Sequence, residues 1–268
     1  MNAAVSLIGR VLPATVHVQA EIPSEHPSAR LLGTERMGSG AIIDASGLIL
    51  TVNYVVLGAS EVRVTLLDQR EYVAEVVRHD FTSGLGLIRI AEGSLPVLPL
   101  RRSTDLRLGD EVFLVASAGE GSARISNGGV SYLGPFDANW EYVLDRAIMT
   151  TAMNPGLGGG PLLDMQGNVA GIVSLNLNEI GRFSLAIPAE YYLDARDEFL
   201  AGGPGDSAGL KAGDVVLAVD GRDVADRATL YRHLWRRQPG EPVTLKVFRS
   251  NEARLVTVAS GDVVEFFA

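Results

Sequence analysis

Short apolar segments separated by glycine-containing turns fill the chain from Thr15 to Pro188. Many alternate apolar with polar positions and are rich in valine, isoleucine and threonine, which is the pattern of half-buried strands. Turn sequences such as Asp44–Gly47 and Met165–Asn168 lie between them. The pattern predicts an all-β barrel or sandwich domain. The predicted strands are Thr15–Ala20, Gly40–Asp44, Leu48–Val52, Glu61–Leu66, Glu71–His79, Leu87–Ala91, Glu111–Ala116, Asn127–Leu133, Trp140–Thr150, Pro161–Asp164, Val169–Asn176 and Ser184–Ile187.

Two short helices are predicted at the ends of this β-rich region. The first covers Ala3–Arg10 and is ended by Pro13, because proline disrupts a helix interior. The second begins after Pro188, runs to about Leu200 and stops at Gly202–Gly203, since glycine is favoured just past a helix C-terminus. The β-rich domain is therefore predicted to span residues 1–188, and the linker helix residues 189–203.

The pattern changes again from Pro204 onward. A helical periodicity covers Asp226–Gln238 and is ended by proline and glycine, and apolar strand-like segments follow at Val243–Phe248 and Leu255–Ala259. Residues 204–268 are therefore predicted to form a second, small α+β domain.

Composition excludes several classes of function. A hydrophobic fraction of 47% with 21% charged residues is that of a folded chain. The net charge of −9 opposes binding to nucleic acid or to an anionic membrane surface, both of which attract basic faces. No apolar run approaches the roughly 20 residues that span a bilayer, and the lack of cysteine excludes thiolate chemistry. Met1–Gln19 lacks a secretory-signal pattern, so we expect a cytoplasmic protein, or a periplasmic one if the sequence is the mature form.

Two segments of the β-rich domain, Ile49–Val56 and Thr82–Ile88, resemble catalytic motifs of trypsin-like serine proteases of the HtrA/Deg kind. Ile49–Val56 is similar to the family's hydrophobic-Leu-Thr-x-x-His-Val-Val, with Tyr54 in place of the histidine. Thr82–Ile88 is similar to Thr-Asp-Leu-Ala-Leu-Leu, with Gly84 in place of the aspartate. The resemblance implies two six-stranded β-barrels with the active-site cleft between them, a chymotrypsin-like arrangement.

A third segment resembles the motif of the nucleophile. Asn154–Pro161 reads Asn-Pro-Gly-Leu-Gly-Gly-Gly-Pro, where the family has Gly-Asn-Ser-Gly-Gly-Pro, so that Gly158 stands at the position of the serine. A serine attacks only when a base takes its proton and a third group orients that base. A tyrosine titrates near pH ~10, so Tyr54 is not expected to replace an imidazole. The sequence therefore predicts a degenerate pseudoprotease that is not an enzyme.

Two features of this degenerate site admit alternatives. Backbone N–H groups near Gly156 and Gly158 match a residual oxyanion hole that binds carbonyls or anions, although glycines in such a loop more often serve a tight turn. Tyr54 either lines a ligand cleft or fills the space that the catalytic side chains leave. We favour filling, because a buried aromatic ring whose hydroxyl finds a partner is stabilising.

In the C-terminal domain, Ser207–Gly221 contains Ala-Gly-Leu-Lys-Ala-Gly-Asp followed by an apolar strand-like segment. It resembles the central Ala-Gly-Leu-x-x-Gly-Asp turn and the following strand of a PDZ domain. In PDZ domains of these proteases a carboxylate-binding loop and strand precede this turn, whereas here the linker helix reaches Gly203 and the turn follows at once. Because PDZ domains add peptides to the edge of that strand, the groove is predicted to be incomplete unless Val263–Phe267 supplies the edge.

A candidate partner-binding face lies on the predicted helix of this domain. Arg232, Arg236 and Arg237 form a basic stripe beside Trp235. A charge run is usually a solvated face, but tryptophan among arginines is typical of interfaces. We therefore predict a protein-binding scaffold, assembly factor or complex subunit, with the partner and the oligomeric state open.

Two other functions on the same fold remain open. A residual hydrolase would need a displaced nucleophile, such as Ser39, Ser174 or Ser184, with a base beside it. Metal binding would need ligands at suitable spacing, and none of the four histidines has it: His17, His26, His79 and His233. We expect neither a metal nor a cofactor.

Overall fold

The computed structural model describes residues 3–119, 121–138, 142–154, 157–177, 181–195, 215–224, 227–234, 237–238, 240–249 and 252–260. The chain divides into two compact units, residues 1–199 and residues 200–268. The first unit holds two β-barrels, and the described residues of the second form a small four-stranded sheet and one helix.

The first barrel closes six antiparallel strands in the ring order β1-β2-β3-β6-β5-β4. Alternation of apolar and polar residues on these strands directs one set of side chains inward, as a closed barrel requires. A helix, α1 (Ala3–Val11), and a 3₁₀ turn precede the barrel, and two single-turn helices, α2 (Ala29–Leu32) and α3 (Asn53–Val56), lie between its strands. The strands are β1 (Thr15–Glu21), β2 (Glu35–Ile42), β3 (Leu48–Val52), β4 (Glu61–Thr65), β5 (Glu71–His79) and β6 (Leu85–Ile90).

The second barrel repeats the same connectivity. Its ring order is β7-β8-β9-β12-β11-β10, and β7 pairs with β10 as β1 pairs with β4 in the first barrel. A 3₁₀ turn at Ser103–Asp105 precedes the barrel, and helix α4 (Glu190–Ala195) follows it. The strands are β7 (Glu111–Ser117), β8 (Ala123–Asp137), β9 (Val143–Thr150), β10 (Pro161–Asp164), β11 (Val169–Leu177) and β12 (Phe183–Pro188).

The two barrels share one hydrophobic core. Leu50 and Ile88 of the first barrel belong to the same buried cluster as Leu163, Ile172 and Leu185 of the second. A smaller cluster lies wholly within the second barrel. Because apolar burial is the dominant favourable term in folding, a continuous core ties the stability of the two barrels together.

The second unit is an α+β module with its own core. Its sheet has the strand order β14-β13-β15-β16, and the partly buried Leu230 and Leu234 of helix α5 (Arg227–Leu234) pack against the buried cluster of that sheet. The strands are β13 (Val215–Val219), β14 (Arg222–Asp223), β15 (Pro242–Arg249) and β16 (Glu252–Ala259).

The predicted fold class, a chymotrypsin-like double barrel followed by a small PDZ-like domain, is confirmed. Among the strands, the largest difference between the predicted and the observed bounds is in β8. The sequence predicted Asn127–Leu133, whereas the strand covers Ala123–Asp137. Its glycines and Pro135 read as strand breakers, but the β8–β9 ladder absorbs them with register shifts at Val130/Tyr132 and Gly134/Phe136. The predicted PDZ turn at residues 207–214 and the Val263–Phe267 edge lie outside the described residues.

Candidate active site in the cleft between the barrels

Tyr54 lies in α3, immediately after β3. The Arg36 side chain donates hydrogen bonds to backbone carbonyls of this short helix and of the residue after it. The Arg36 guanidinium is almost fully buried and donates from Nη1 to the carbonyls of Tyr54 (2.7 Å) and Leu57 (3.1 Å) and from Nε to that of Gly33 (3.1 Å). Burial lowers the pKa of Arg36. This charge is therefore used to fix the position of α3.

The Tyr54 side chain crosses the cleft to the second barrel. Its hydroxyl donates to the carbonyl of Ser174 in β11 at 3.0 Å. A Cβ atom added at Gly158 would overlap that hydroxyl and would lie 3.1 Å from Tyr54 Cζ and 3.0 Å from the Ser174 carbonyl oxygen. The tyrosine thus occupies the space into which a side chain at position 158 would extend.

Gly84 lies beside α3 and faces a second tyrosine. The Asn53 N–H donates to the Gly84 carbonyl at 2.8 Å, which brings positions 54 and 84 together. Gly84 has φ +81°, and a Cβ there would overlap the ring of Tyr142, with Cγ at 2.9 Å. Tyr142 is fully buried, and its hydroxyl donates to Ser174 Oγ at 2.7 Å.

The glycine loop that carries position 158 is anchored to both barrels. The Ser39 N–H of β2 donates to the Gly158 carbonyl (2.8 Å), and the Gly159 N–H donates to the carbonyl of Val173 (2.7 Å). Gly159 has φ +95°, a region that favours glycine. Gly156 lies outside the described residues, so the oxyanion hole of Gly156 and Gly158 stays a prediction.

His79, the last residue of β5, and Asp80, which follows it, have shifted pKa values. His79 Nδ1 lies 2.5 Å from Asn53 Oδ1, and because an amide oxygen only accepts, the ring donates there. Burial, with a smaller contribution from His26, lowers the pKa of His79 to about 4, so its ring is neutral at pH 7. Burial raises the pKa of Asp80, against an opposing hydrogen bond from Ser83.

The three serines considered as displaced nucleophiles all make polar contacts within the protein. Ser39 Oγ donates to the carbonyl of Ser117 (3.3 Å) and accepts from its N–H (2.9 Å). Ser174 Oγ accepts from Tyr142, and Ser184 Oγ accepts from the Asn154 N–H at 2.7 Å. These contacts hold the cleft together and do not include a histidine.

The histidines are dispersed over both units. His17 Nδ1 lies 3.2 Å from the carbonyl of Ser117, His26 Nδ1 lies 2.7 Å from Ser28 Oγ, and His233 Nδ1 is buried without a hydrogen-bond partner within the part of the chain that is described. Among the described residues, no three histidine, aspartate or glutamate side chains are grouped so as to hold a metal ion. Within the same residues, no helix is both long and apolar enough to cross a membrane.

The candidate partner face of the PDZ-like unit is described only in part. Arg232 belongs to α5, and Trp235 and Arg236 lie outside the described residues. Arg237 is exposed and pairs with Asp220, and with Glu241 at 3.7 Å. The Thr244 N–H, and then Arg237, lower the pKa of Asp220. Arg237 is thus already engaged within its own module.

Sequence reasoning missed Arg36 and Tyr142. The contact of Tyr142 with position 84 joins the two barrels, and no local motif marks it. The one signal was Gly84 itself, because a glycine in a packed site leaves space that another side chain must fill. The sequence showed that space was vacated, but not which residue took it.

The double barrel with a cleft between the two barrels defines the class of trypsin-like peptidases. The trypsin-like peptidase domain family matches residues 38–172, and the PDZ domain family matches residues 200–259. The chain belongs to the trypsin-like peptidase family, as an HtrA/DegP-type member with a PDZ domain.

Relatives and solved structures agree with this assignment. Proteins named as probable periplasmic serine endoproteases of DegP-like type, from Hahella chejuensis and Halomonas elongata, are 31% and 34% identical over 84% and 88% of this chain. The chain spans only 56% and 59% of their lengths. The structure of the HtrA-type protease AlgW with a tripeptide matches with a TM-score of 0.64 at 25% identity, covering 98% of this chain and 97% of that one.

The comparisons overturn two predictions. The prediction that the chain is not an enzyme is contradicted, because the relatives are named serine endoproteases and the structural neighbours are named HtrA-type proteases. That prediction rested only on the residues at positions 54, 84 and 158. The prediction of a cytoplasmic location is likewise contradicted, because the same relatives are named periplasmic.

Proposed function

We propose that this chain is a polypeptide-binding member of the HtrA family, acting as a scaffold, assembly factor or subunit of a larger complex. The observation that carries the proposal is the occupation of the interbarrel cleft by Tyr54 and Tyr142, whose hydroxyls both bond Ser174. With that cleft filled, we assign partner binding to the PDZ domain, because domains of this class are peptide-recognition modules.

The proposed docking face comprises Arg232, which belongs to α5, and Trp235, Arg236 and Arg237, which follow α5 in the sequence. Guanidinium groups pair with carboxylates in two-pronged geometry, and a tryptophan beside them supplies apolar contact area. We therefore propose that the partner presents a peptide with a carboxylate, either at its C-terminus or on an acidic side chain.

Fluorescence anisotropy of the full chain with labelled peptides tests this function. Acidic peptides with free C-termini are compared with the same peptides amidated at the C-terminus and with neutral peptides. We expect Trp235→Ala and Arg236→Ala to weaken binding by at least tenfold. Arg254→Ala is the matched control, because Arg254 is an exposed arginine of β16 paired with Glu252. Equal affinities for all peptides, or equal loss in Arg254→Ala, would reject the face.

Endoproteolysis is the second candidate function, and the names of the relatives favour it. In this chain it would require a nucleophile away from position 158, which has no side chain. Incubation with an unfolded protein substrate, together with labelling by a fluorophosphonate, tests it. Digestion that disappears with Ser39→Ala, Ser174→Ala or Ser184→Ala, and labelling at that same serine, would establish hydrolysis as the function.

A periplasmic location is proposed on the same grounds, since the relatives carry that word in their names. Cell fractionation with markers for each compartment checks it. Recovery of the protein with the cytoplasmic marker would reject the location without bearing on peptide binding.

A further inference from the structure

Two tyrosines from different barrels meet at a single residue. Tyr54 leaves α3 of the first barrel, and Tyr142 lies just before β9 of the second. Ser174 receives both hydroxyls, the first at its carbonyl (3.0 Å) and the second at Oγ (2.7 Å). Ser174 is buried, its hydrogen bond with Tyr142 is buried and that with Tyr54 is half-buried, so Ser174 would lose a partner unfavourably.

Each tyrosine also faces one glycine so closely that a side chain is excluded there. Tyr54 excludes a Cβ at Gly158, and Tyr142 excludes one at Gly84. Protein interiors are packed to crystal density, so the volume that the glycines leave and the volume that the rings occupy must match. Residues 54 and 158 therefore form one packed pair, and residues 84 and 142 another.

We propose that Tyr54, Tyr142, Gly84, Gly158 and Ser174 form one interlocked unit, here called the tyrosine plug, that closes the interbarrel cleft and fastens the two barrels to each other. If the plug exists, the cost of adding a side chain at either glycine depends on which residue occupies the tyrosine position of the same pair. It also predicts that the stability contribution of Tyr142 depends on the Ser174 side chain, whereas that of Tyr54 depends on the Ser174 backbone carbonyl. The proposal concerns this closure and does not depend on the function proposed above.

Alanine at position 158 in three backgrounds tests the first coupling. Gly158→Ala is made with Tyr54, with Tyr54→Phe and with Tyr54→Ala, and the melting temperature of the full chain is measured. The overlap is with the hydroxyl, whereas Cζ is 3.1 Å away. We expect Gly158→Ala to lower Tm by about 4–8 °C with Tyr54, by about half as much with phenylalanine, and least with alanine.

Gly93→Ala is the matched control, because a Cβ at Gly93 meets nothing within 4 Å. Its effect on Tm should stay within about 1 °C in all three backgrounds. Equal losses from Gly158→Ala in the three backgrounds would overturn the coupling. If Gly158→Ala fails to fold beside Tyr54, recovery of folded protein with Tyr54→Ala supports the plug, and failure in all three backgrounds rejects it.

A second cycle tests the role of Ser174. Ser174→Ala removes Oγ but keeps the carbonyl, so it should be coupled to Tyr142→Phe and not to Tyr54→Phe. We expect the Tm losses of Ser174→Ala and Tyr142→Phe to be clearly non-additive, and those of Ser174→Ala and Tyr54→Phe to add. The reverse pattern, or additivity in both pairs, would show that the two tyrosines do not meet at Ser174 as proposed.

Discussion

The two barrels of the first unit have the same strand connectivity but contribute differently to the cleft between them. The first barrel presents α3, fixed by buried Arg36 and by the contact of Asn53 with His79. The second presents a glycine loop, which carries Gly158, and Ser174 on β11. Because the topology is the same in both barrels, strand order alone does not determine the chemistry of the cleft. The side chains that face each other across it decide that chemistry.

The largest expected effect concerns the packing of Gly84 against Tyr142. Gly84→Ala should destabilise the protein by about 3–4 kcal/mol, because it adds overpacking to the strain of a positive φ. Gly109 is a matched control: its φ is +88° and a Cβ there meets nothing within 4 Å. Gly109→Ala should therefore lose only about 1 kcal/mol of strain energy. Denaturant unfolding measures both, and equal losses would remove Tyr142 as the cause.

The shared core predicts that damage in one barrel weakens both. Leu50 is fully buried in the first barrel and belongs to the cluster that reaches Leu163 in the second. Leu50→Ala should lower the free energy of unfolding by about 3 kcal/mol. Circular dichroism and pulse proteolysis with sites mapped in each barrel should show one common shift. Unfolding of the first barrel alone would contradict the shared core, and Leu31→Ala, at an exposed position, should change little.

The titration of His79 in the first barrel is expected to have at most an effect of the size of Leu50→Ala, and only at low pH. Because its folded pKa is lowered from 6.5 to about 4, the unfolded state binds more protons between these values. The contribution of His79 is therefore complete above pH 6.5 and is lost as pH falls towards 4, by up to about 3 kcal/mol.

His79→Gln keeps an amide donor for Asn53 and removes this titration. Unfolding measured from pH 4 to 7.5 should give a weaker pH dependence in the variant than in the parent protein. Asp80 acts in the opposite direction, since its pKa is raised, but it is present in both proteins and cancels in the difference. Parallel curves would show that His79 does not titrate as described.

The smallest expected effect isolates one hydroxyl of the second barrel. Tyr142→Phe should destabilise the protein by about 1 kcal/mol, because Ser174 Oγ loses a buried hydrogen bond. Tyr132→Phe is the control, since the Tyr132 hydroxyl donates to the Pro135 carbonyl at an exposed site. Thermal unfolding should detect the first change and not the second. A comparable loss in both would mean that burial at Ser174 adds nothing.

Much of the fold was predictable because its signals are local. Alternation of apolar residues and glycine turns marked the strands, and α1 was predicted over Ala3–Arg10 and observed over Ala3–Val11. Strand ends were less certain in β8, because glycines in a bulged ladder look like turns when the partner strand is unknown. The family motifs placed Tyr54, Gly84 and Gly158 in one cleft.

The predictions of inactivity and of a cytoplasmic location were drawn from local sequence features, which are not sufficient to establish either property. Three absent side chains define an altered site, whereas the relatives, named periplasmic serine endoproteases, point to an enzyme. Activity depends on groups brought together from distant parts of the chain. A motif comparison examines each position separately and does not see such groups.

The amino-acid sequence by itself determined most strands along the chain and the loss of side chains at positions 84 and 158, and its resemblance to a known family implied the two-barrel class with a PDZ-like module. Only the tertiary structure decided what fills the vacated space, namely Tyr54 and Tyr142 joined through Ser174. The physical reason is range. Strand and turn preferences act over a few residues, whereas packing volume and buried hydrogen bonds are settled between segments that meet only when both barrels have closed.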